Sequence, residues 1–210
     1  MNCYAFIGIQ GSGKGTQAEQ LSSTLHYQHI NIGDLFRYHI KNNTQIGVKV
    51  QQIINRGELV PDDVVFELVE ASIDKIAKGI VFDGFPRTIQ QADFLLKHYS
   101  LLRVFYIELS ETAAYNRIAA RRVCPNCNEN YNLKTQPPKI PETCDKCGSK
   151  LIIRQDDSPE AIHKRFKEFY NQTQPLKNFF ETNNVLTIIN GDLSVSQVFE
   201  QILALTTAKQ

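Results

Sequence analysis

The run Tyr4-Ala5-Phe6-Ile7 passes directly into Gly8-Ile9-Gln10-Gly11-Ser12-Gly13-Lys14-Gly15-Thr16-Gln17. An apolar strand that breaks into a glycine-rich turn and then opens a helix leaves few folds available. Gly8, Gly13 and Lys14, with Thr16 after one extra glycine, form a phosphate-binding loop of the G-x4-G-K-[ST] kind. The glycines let backbone N–H groups turn inward around a polyphosphate. Lys14 can reach the outer phosphates, and the Thr16 hydroxyl can sit on Mg²⁺. A helix starting near Gly15 would aim its positive dipole end at the same anion. The alternative is a glycine-rich turn with an incidental lysine. It requires strand, Gly8, Gly13, Lys14, Thr16 and helix to fall in this order by chance. The loop predicts a nucleoside triphosphate as ligand, but does not separate a kinase from a GTPase or a motor.

The length of 210 residues, with 42% hydrophobic and 21% charged, fits one main core with room for small inserted lobes. With 23 basic and 22 acidic residues, net charge +1, bulk charge recruits neither nucleic acid nor membrane. No apolar stretch approaches the roughly 20 residues of a membrane span, and the N-terminus shows no basic region followed by a cleavage pattern. The expectation is a cytoplasmic enzyme, monomeric by default, that acts on small molecules.

Five runs read as strands: Cys3–Ile9, Tyr27–Ile30, Ile80–Asp83, Val104–Leu109 and Val185–Asn190. Four are almost continuously apolar, as parallel strands covered on both faces are. Tyr27–Ile30 is interrupted by Gln28 and His29. Helical spacing lies between them, at Ala18, Leu21 and Leu25 and in a stripe from Val65 to Ile76. Thr112–Arg122 also looks helical, as does Pro159–Thr182 with a bend at Pro175. The alternation predicts an α/β fold, a doubly wound five-stranded parallel sheet with ligands at the carboxyl ends of its strands. Two segments break the pattern and read as insertions at those ends: 31–60, and 122–157 with its paired cysteines and prolines.

Asp83 ends an apolar strand, the form of a Mg²⁺-orienting acid in phosphate-loop enzymes, unless it merely starts the turn Asp83-Gly84. Asp34 is a weaker candidate beside it, since aspartate before a helix is more often a cap. Arg37, Arg87, Arg117, Arg121, Arg154 and Arg165 stand at strand ends and insertions. There, phosphates explain them better than six independent surface charges would. On helical spacing Arg117 and Arg121 share one face. Cys124-x2-Cys127-x16-Cys144-x2-Cys147 has the spacing of a closed four-thiolate Zn²⁺ site, structural because no ligand position stays open. Two disulfides or a nucleic-acid zinc ribbon are the alternatives. Lysines and acids balance between Cys124 and Cys147, which disfavours the ribbon. Cys3 reads as a buried core residue. The five histidines show no metal spacing. Asp62-Asp63 and Asp156-Asp157 read as helix starts.

Taken together, these residues resemble the adenylate kinases, in the form with a long zinc-bearing lid, essentially from end to end. The carrying motifs are Gly8–Gln17, Gly33-Asp34-x2-Arg37, Gly57–Asp62, Phe82-Asp83-Gly84-Phe85-Pro86-Arg87-Thr88, Arg121-Arg122, the four cysteines, Arg154-x-Asp156-Asp157, and Arg165. The resemblance implies a phosphate-loop core (1–30, 61–121 and 158–210), an AMP-binding lobe (31–60) and a lid (122–157). It implies transfer of the ATP γ-phosphoryl group to AMP with Mg²⁺. By the same resemblance Gly11, Ser12, Gly13, Lys14, Gly15 and Thr16 would cradle ATP. Arg117, Arg121, Asn130, Tyr131 and Leu193 would border the rest of that nucleotide. AMP would be held by Ile32, Arg37, Glu58, Leu59, Val60, Gly84, Phe85, Pro86, Arg87, Gln91, Arg154 and Arg165. Lys14, Arg87, Arg121, Arg154 and Arg165 would surround the transferring group.

Two positions depart from the family's usual pattern. Ile32 stands where threonine is usual and offers no hydroxyl. Gln90 stands where proline is usual, which leaves open whether it or Gln91 faces the acceptor base. Within this fold UMP, CMP or GMP are rival acceptors. A GTPase reading lacks the Asn-Lys-x-Asp base motif.

Overall fold

The structure, a computed structural model, describes residues 1–207; the last three residues of the expected core segment 158–210 lie outside the described residues. The N-terminal apolar run forms β1 (Asn2–Gly8). Cys3, Ala5 and Ile7 join one hydrophobic core, while Tyr4 and Phe6 join another on the opposite face. Both faces are therefore covered, and β1 reads as an unbroken apolar run for that reason. The further strands are β2 (Gln28–Asn31), β3 (Ile80–Asp83), β4 (Ser100–Glu108), β5 (Arg121–Val123), β6 (Asn130–Asn132) and β7 (Leu186–Asn190). Five of them make one parallel sheet in the order β2-β3-β1-β4-β7, and β5 and β6 pair antiparallel outside it. The α/β doubly wound sheet is thus the one the alternation predicts.

The helices are α1 (Lys14–Leu25), α2 (Ile32–Lys41), α3 (Gln45–Asn55), α4 (Asp62–Ser72), α5 (Ile89–His98), α6 (Glu111–Ala119), α7 (Pro159–Glu168), α8 (Leu176–Thr182) and α9 (Val195–Thr207). Asn31, Thr44, Thr88, Ser110 and Ser158 each cap a helix by accepting a backbone N–H three residues on.

Local expectations are corrected in several places. β2 runs one residue later than expected, because its pairing with β3 extends to Asn31 opposite Asp83. The stripe from Val65 stops at Ser72, and Ile76 is exposed. The helix expected through Arg122 ends at Ala119, because Arg121 and Arg122 enter β5 and pair with β6. Arg117 and Arg121 therefore do not share a helical face. The long helix bends ahead of Pro175, in a π-helical stretch over Phe169–Thr173. Pro175 has no N–H to continue the ladder, and the backbone N–H of Gln174 reaches back to Phe169 O at 2.8 Å instead. Helices α5 and α9 have no counterpart in the sequence reading.

The segment 31–60 carries α2 and α3, and 122–157 carries β6, the cysteine turns and isolated bridges such as Val123–Ile152 and Thr143–Lys150. Its own core is Cys124, Tyr131, Cys144 and Leu151. Among the described residues no helix is long and apolar enough to cross a membrane.

Candidate active site

Gly13 stands at the N-cap of α1 with φ 95°, a left-handed conformation that glycine adopts without strain, and no side chain caps the first turn. The free N–H groups of that turn are left for an anion. The Ser12 hydroxyl is buried beside them without a partner. Asp83, only 3% exposed at the end of β3, turns its carboxylate to this loop. A Cβ on Gly15 would lie 3.0 Å from Asp83 Oδ2. Asn31, its neighbour across β2–β3, donates to Asp83 through Nδ2, while Asn31 Oδ1 accepts from the Asp34 N–H. Asp34 thus starts a capped helix and also accepts from Arg37 Nη2 at 2.6 Å. A buried carboxylate at the mouth of a phosphate loop, against Gly15, suits a hard cation held through water.

The arginines converge from distant parts of the chain. Arg165, on α7, contacts Asp157 Oδ1 at 3.1 Å and Asp156 Oδ2 at 3.3 Å. Arg121 grips both oxygens of Asp157, and Arg37 approaches Asp156 at 4.0 Å. Asp156 and Asp157 are therefore not simple caps. They sit in a 3₁₀ turn and hold three arginines in place. Arg87 donates from Nε to Gly84 O at 2.8 Å, following the cis Phe85–Pro86 peptide. Arg154 donates to Asn130 Oδ1 at 2.6 Å, and its Nε is buried without a partner. Arg117 instead reaches Gly191 O at 2.8 Å and Ser12 O at 3.4 Å, tying the phosphate loop to the segment carrying Leu193.

The charges strain against one another. Burial lowers Arg154 to about 9 and Arg87 to about 10, and neighbouring arginines add to this. Burial also lowers Arg165, against the pull of Asp156. All three remain cations at neutral pH. Lys14 keeps part of its surface in water, but desolvation of its ammonium takes it from 10.5 to about 7. Asp83 opposes that shift, and Arg87, Arg165 and Arg121 reinforce it.

Between about 7 and 10.5 the unfolded chain binds more protons at Lys14 than the folded one. The lysine's contribution to stability therefore rises with pH across that window and is least favourable below it. A polyphosphate would restore the charge. At about pH 8 triphosphate binding is expected to take up close to one proton, and at about pH 6 Lys14 should take up none. Calorimetry in two buffers of different ionisation enthalpy measures this, with Lys14→Met as the control that removes the uptake. Equal heats in both buffers at the higher pH would contradict it.

Next to the arginines lies a cleft lined by apolar Ile32, Phe36, Ile54, Leu59, Val60 and Val65, and by polar Gln10, Arg37, Glu58, Arg87, Gln91 and Arg165. Gly84 also lines it, whereas Phe85 is fully buried in the core. The Glu58 carboxylate is tied to Arg56 at 3.0 Å and to Lys164. Gln91 is 2% exposed and lines the cleft, whereas Gln90 is exposed. Gln10, 8% exposed with an unpartnered Oε1, is a cleft residue that no motif signals. Tyr131 commits its side chain to the cysteine lobe. Its hydroxyl accepts from the Asp145 N–H at 2.7 Å and lies 3.5 Å from Cys144 Sγ.

The four cysteine sulfurs all lie within 4.8 Å of one another. Cys124 and Cys147 are 3.4 Å apart, and Cys127 and Cys144 are 3.5 Å apart. A tetrahedral ion with Zn–S bonds of about 2.3 Å places its sulfurs ~3.8 Å from one another. The cluster could hold such a metal, and among the described residues no cysteine is in a disulfide.

A phosphate loop facing an arginine-lined second cleft, with a four-cysteine lobe beside them, agrees with what comparison finds. The adenylate kinase family model matches residues 6–185. The adenylate kinase of Caldanaerobacter subterraneus subsp. tengcongensis is 40% identical over 203 residues, covering 93% of this chain and 92% of that protein. The one from Thermosipho melanesiensis is 40% identical over 94% of this chain and 96% of its own length. The one from Lactobacillus helveticus is 38% identical over 97% of each. The chain belongs to the adenylate kinase family.

Proposed function

We propose that the protein transfers the γ-phosphoryl group of ATP to AMP, giving two ADP. The observation that carries this reading is the arginine cluster. Arg37, Arg87, Arg121 and Arg165 are held by Asp34, Gly84, Asp156 and Asp157 between the phosphate loop and the lined cleft. Two phosphate sites with one charged field between them suit transfer between two nucleotides. In this assignment 31–60 is the AMP lobe, 122–157 the lid, and the remainder the core.

The AMP phosphate is already ionised and serves as the nucleophile, so no residue need remove a proton. Lys14 and the arginines position both phosphates and neutralise charge that spreads over equatorial oxygens in a loose transition state. Asp83, steadied by Asn31, would hold Mg²⁺ through water. When bound, that ion neutralises charge on the donor phosphates. The apolar wall of Phe36, Ile54, Val60 and Val65 would take the AMP base, with Ile32 adding apolar surface and no hydroxyl. Cys124, Cys127, Cys144 and Cys147 would hold Zn²⁺, which requires thiols kept reduced, as in a cytoplasmic setting. A coupled assay of ADP formation from ATP with AMP, UMP, CMP and GMP tests the reading. It stands if AMP is preferred, and it falls if AMP gives no turnover.

A further inference from the structure

Asp62 lies outside the phosphate machinery, yet it closes a small hydrogen-bond circuit around Gln91, a buried amide that lines the cleft. Gln91 Nε2 donates to Asp62 Oδ1 at 2.6 Å, and the Arg87 backbone N–H donates to Gln91 Oε1 at 2.7 Å. Thr88 Oγ1 donates to Asp62 Oδ2 at 2.8 Å and accepts from the Gln91 N–H at 3.2 Å. We infer that Asp62 sets the base selectivity of the acceptor site by pinning the Gln91 amide in one orientation.

A free glutamine amide is ambivalent: turned over, it exchanges its donor and its acceptor. Here neither partner tolerates the exchange. The Arg87 N–H can only donate and must face oxygen. An ionised Asp62 can only accept and must face NH₂. Turning the amide would set N–H against N–H and oxygen against carboxylate, on a glutamine only 2% exposed whose own polar atoms have little access to water. Each partner uses one hydrogen-bonding position, so one N–H and one lone pair of fixed placement remain for a base. Adenine offers an acceptor at N1 and a donor at the 6-amino group. Hypoxanthine offers the reverse, N1–H and a 6-oxo group, with nearly the same shape. A pinned amide satisfies one edge and opposes the other, and discrimination of this kind rests on leaving the wrong ligand's polar groups unpaired. Asp62 is thus a positioning residue, acting through Gln91.

The test compares AMP and IMP as acceptors by their kcat/KM, read as ADP formed from ATP. For the unaltered protein the ratio is expected to be on the order of a hundredfold or more in favour of AMP. In Asp62→Asn the partner can present either a donor or an acceptor, so one of the two constraints on the amide is lifted and only the Arg87 N–H still opposes its turning. The AMP/IMP ratio should then fall by about tenfold or more, while the ATP KM at saturating AMP reports any general damage. AMP and IMP within about fivefold in the unaltered protein would overturn the inference without any variant. An unchanged ratio in Asp62→Asn with lowered rates on both acceptors would overturn it too, and would leave Asp62 a purely structural residue. The inference rests on the AMP phosphotransfer proposed above. No turnover with AMP would end that reading, whereas good turnover with both acceptors would end this one alone.

Discussion

Replacing Arg165 with alanine should lower kcat by two to three orders of magnitude, the usual cost, about 3–4 kcal/mol, of removing one preorganised donor from a developing charge. Arg165 is singled out by its surroundings. Its side chain is 15% exposed, it touches both Asp156 and Asp157, and it lines the cleft proposed for the acceptor. It is one of the cations whose charge depresses Lys14, which places the two fields within reach of each other. Lysine in its place keeps the charge but loses the guanidinium, whose Nη1 now meets both carboxylates while its other N–H donors stay available to a phosphate, and should still cost about tenfold or more. Asp157 would keep Arg121 on both its oxygens, so the loss of rate should exceed the loss of stability. Steady-state kcat at saturating ATP and AMP, set beside a melting curve, separates the two. A kcat within about threefold of the unaltered protein would remove Arg165 from the transferring group.

The role of Asp156 and Asp157 also marks where a linear reading stops. In sequence they precede Ser158-Pro159, a good helix start, and local chemistry favours capping. Only the fold brings Arg121, 36 positions away, onto Asp157. The phosphate loop was legible because all its parts are local: strand, glycines, lysine and helix fall within a few residues. The sheet was legible because strands covered on both faces stay apolar throughout. α5 was hidden because its buried face includes Gln91 beside Ala92 and Leu95, a polar residue at an apolar position. That mismatch traces a held amide, since the buried Gln91 side chain is bonded to Asp62 and to the Arg87 N–H. α9 does carry a signal, Val198 and Ile202 spaced four apart and both buried, but two positions alone do not establish a helical period. Gln10 carries none. Its burial follows from the shape of the loop, and only its unpartnered oxygen reveals it.

Removing the metal expected at Cys124, Cys127, Cys144 and Cys147 should unfold the lobe 122–157 and leave the sheet standing. Apart from two of those cysteines, the lobe's core holds only Tyr131 and Leu151. A lobe this small cannot offset its chain entropy with two apolar side chains. Structural zinc contributes about 10–16 kcal/mol in isolated finger peptides, ample to make up the difference. Without it the Tyr131 hydroxyl loses its setting between Cys144 and the Asp145 N–H. The Lys41 ammonium, 3.0 Å from the Pro125 carbonyl, loses its contact from α2 to the first cysteine turn. Function should suffer at the lobe's two roots, where Arg121 leads in and Arg154 leads out. A shift of about 1 Å in either guanidinium costs on the order of 100-fold in rate. Treatment with a chelator and a reductant, with metal loss verified by elemental analysis, should therefore lower kcat about 100-fold and lower the melting temperature. Amide exchange should accelerate in peptides from 122–157 while peptides from β1, β3 and β4 keep their protection. Unchanged exchange and melting after verified metal loss would show that the lobe stands without a metal, and the four sulfurs would then need another explanation.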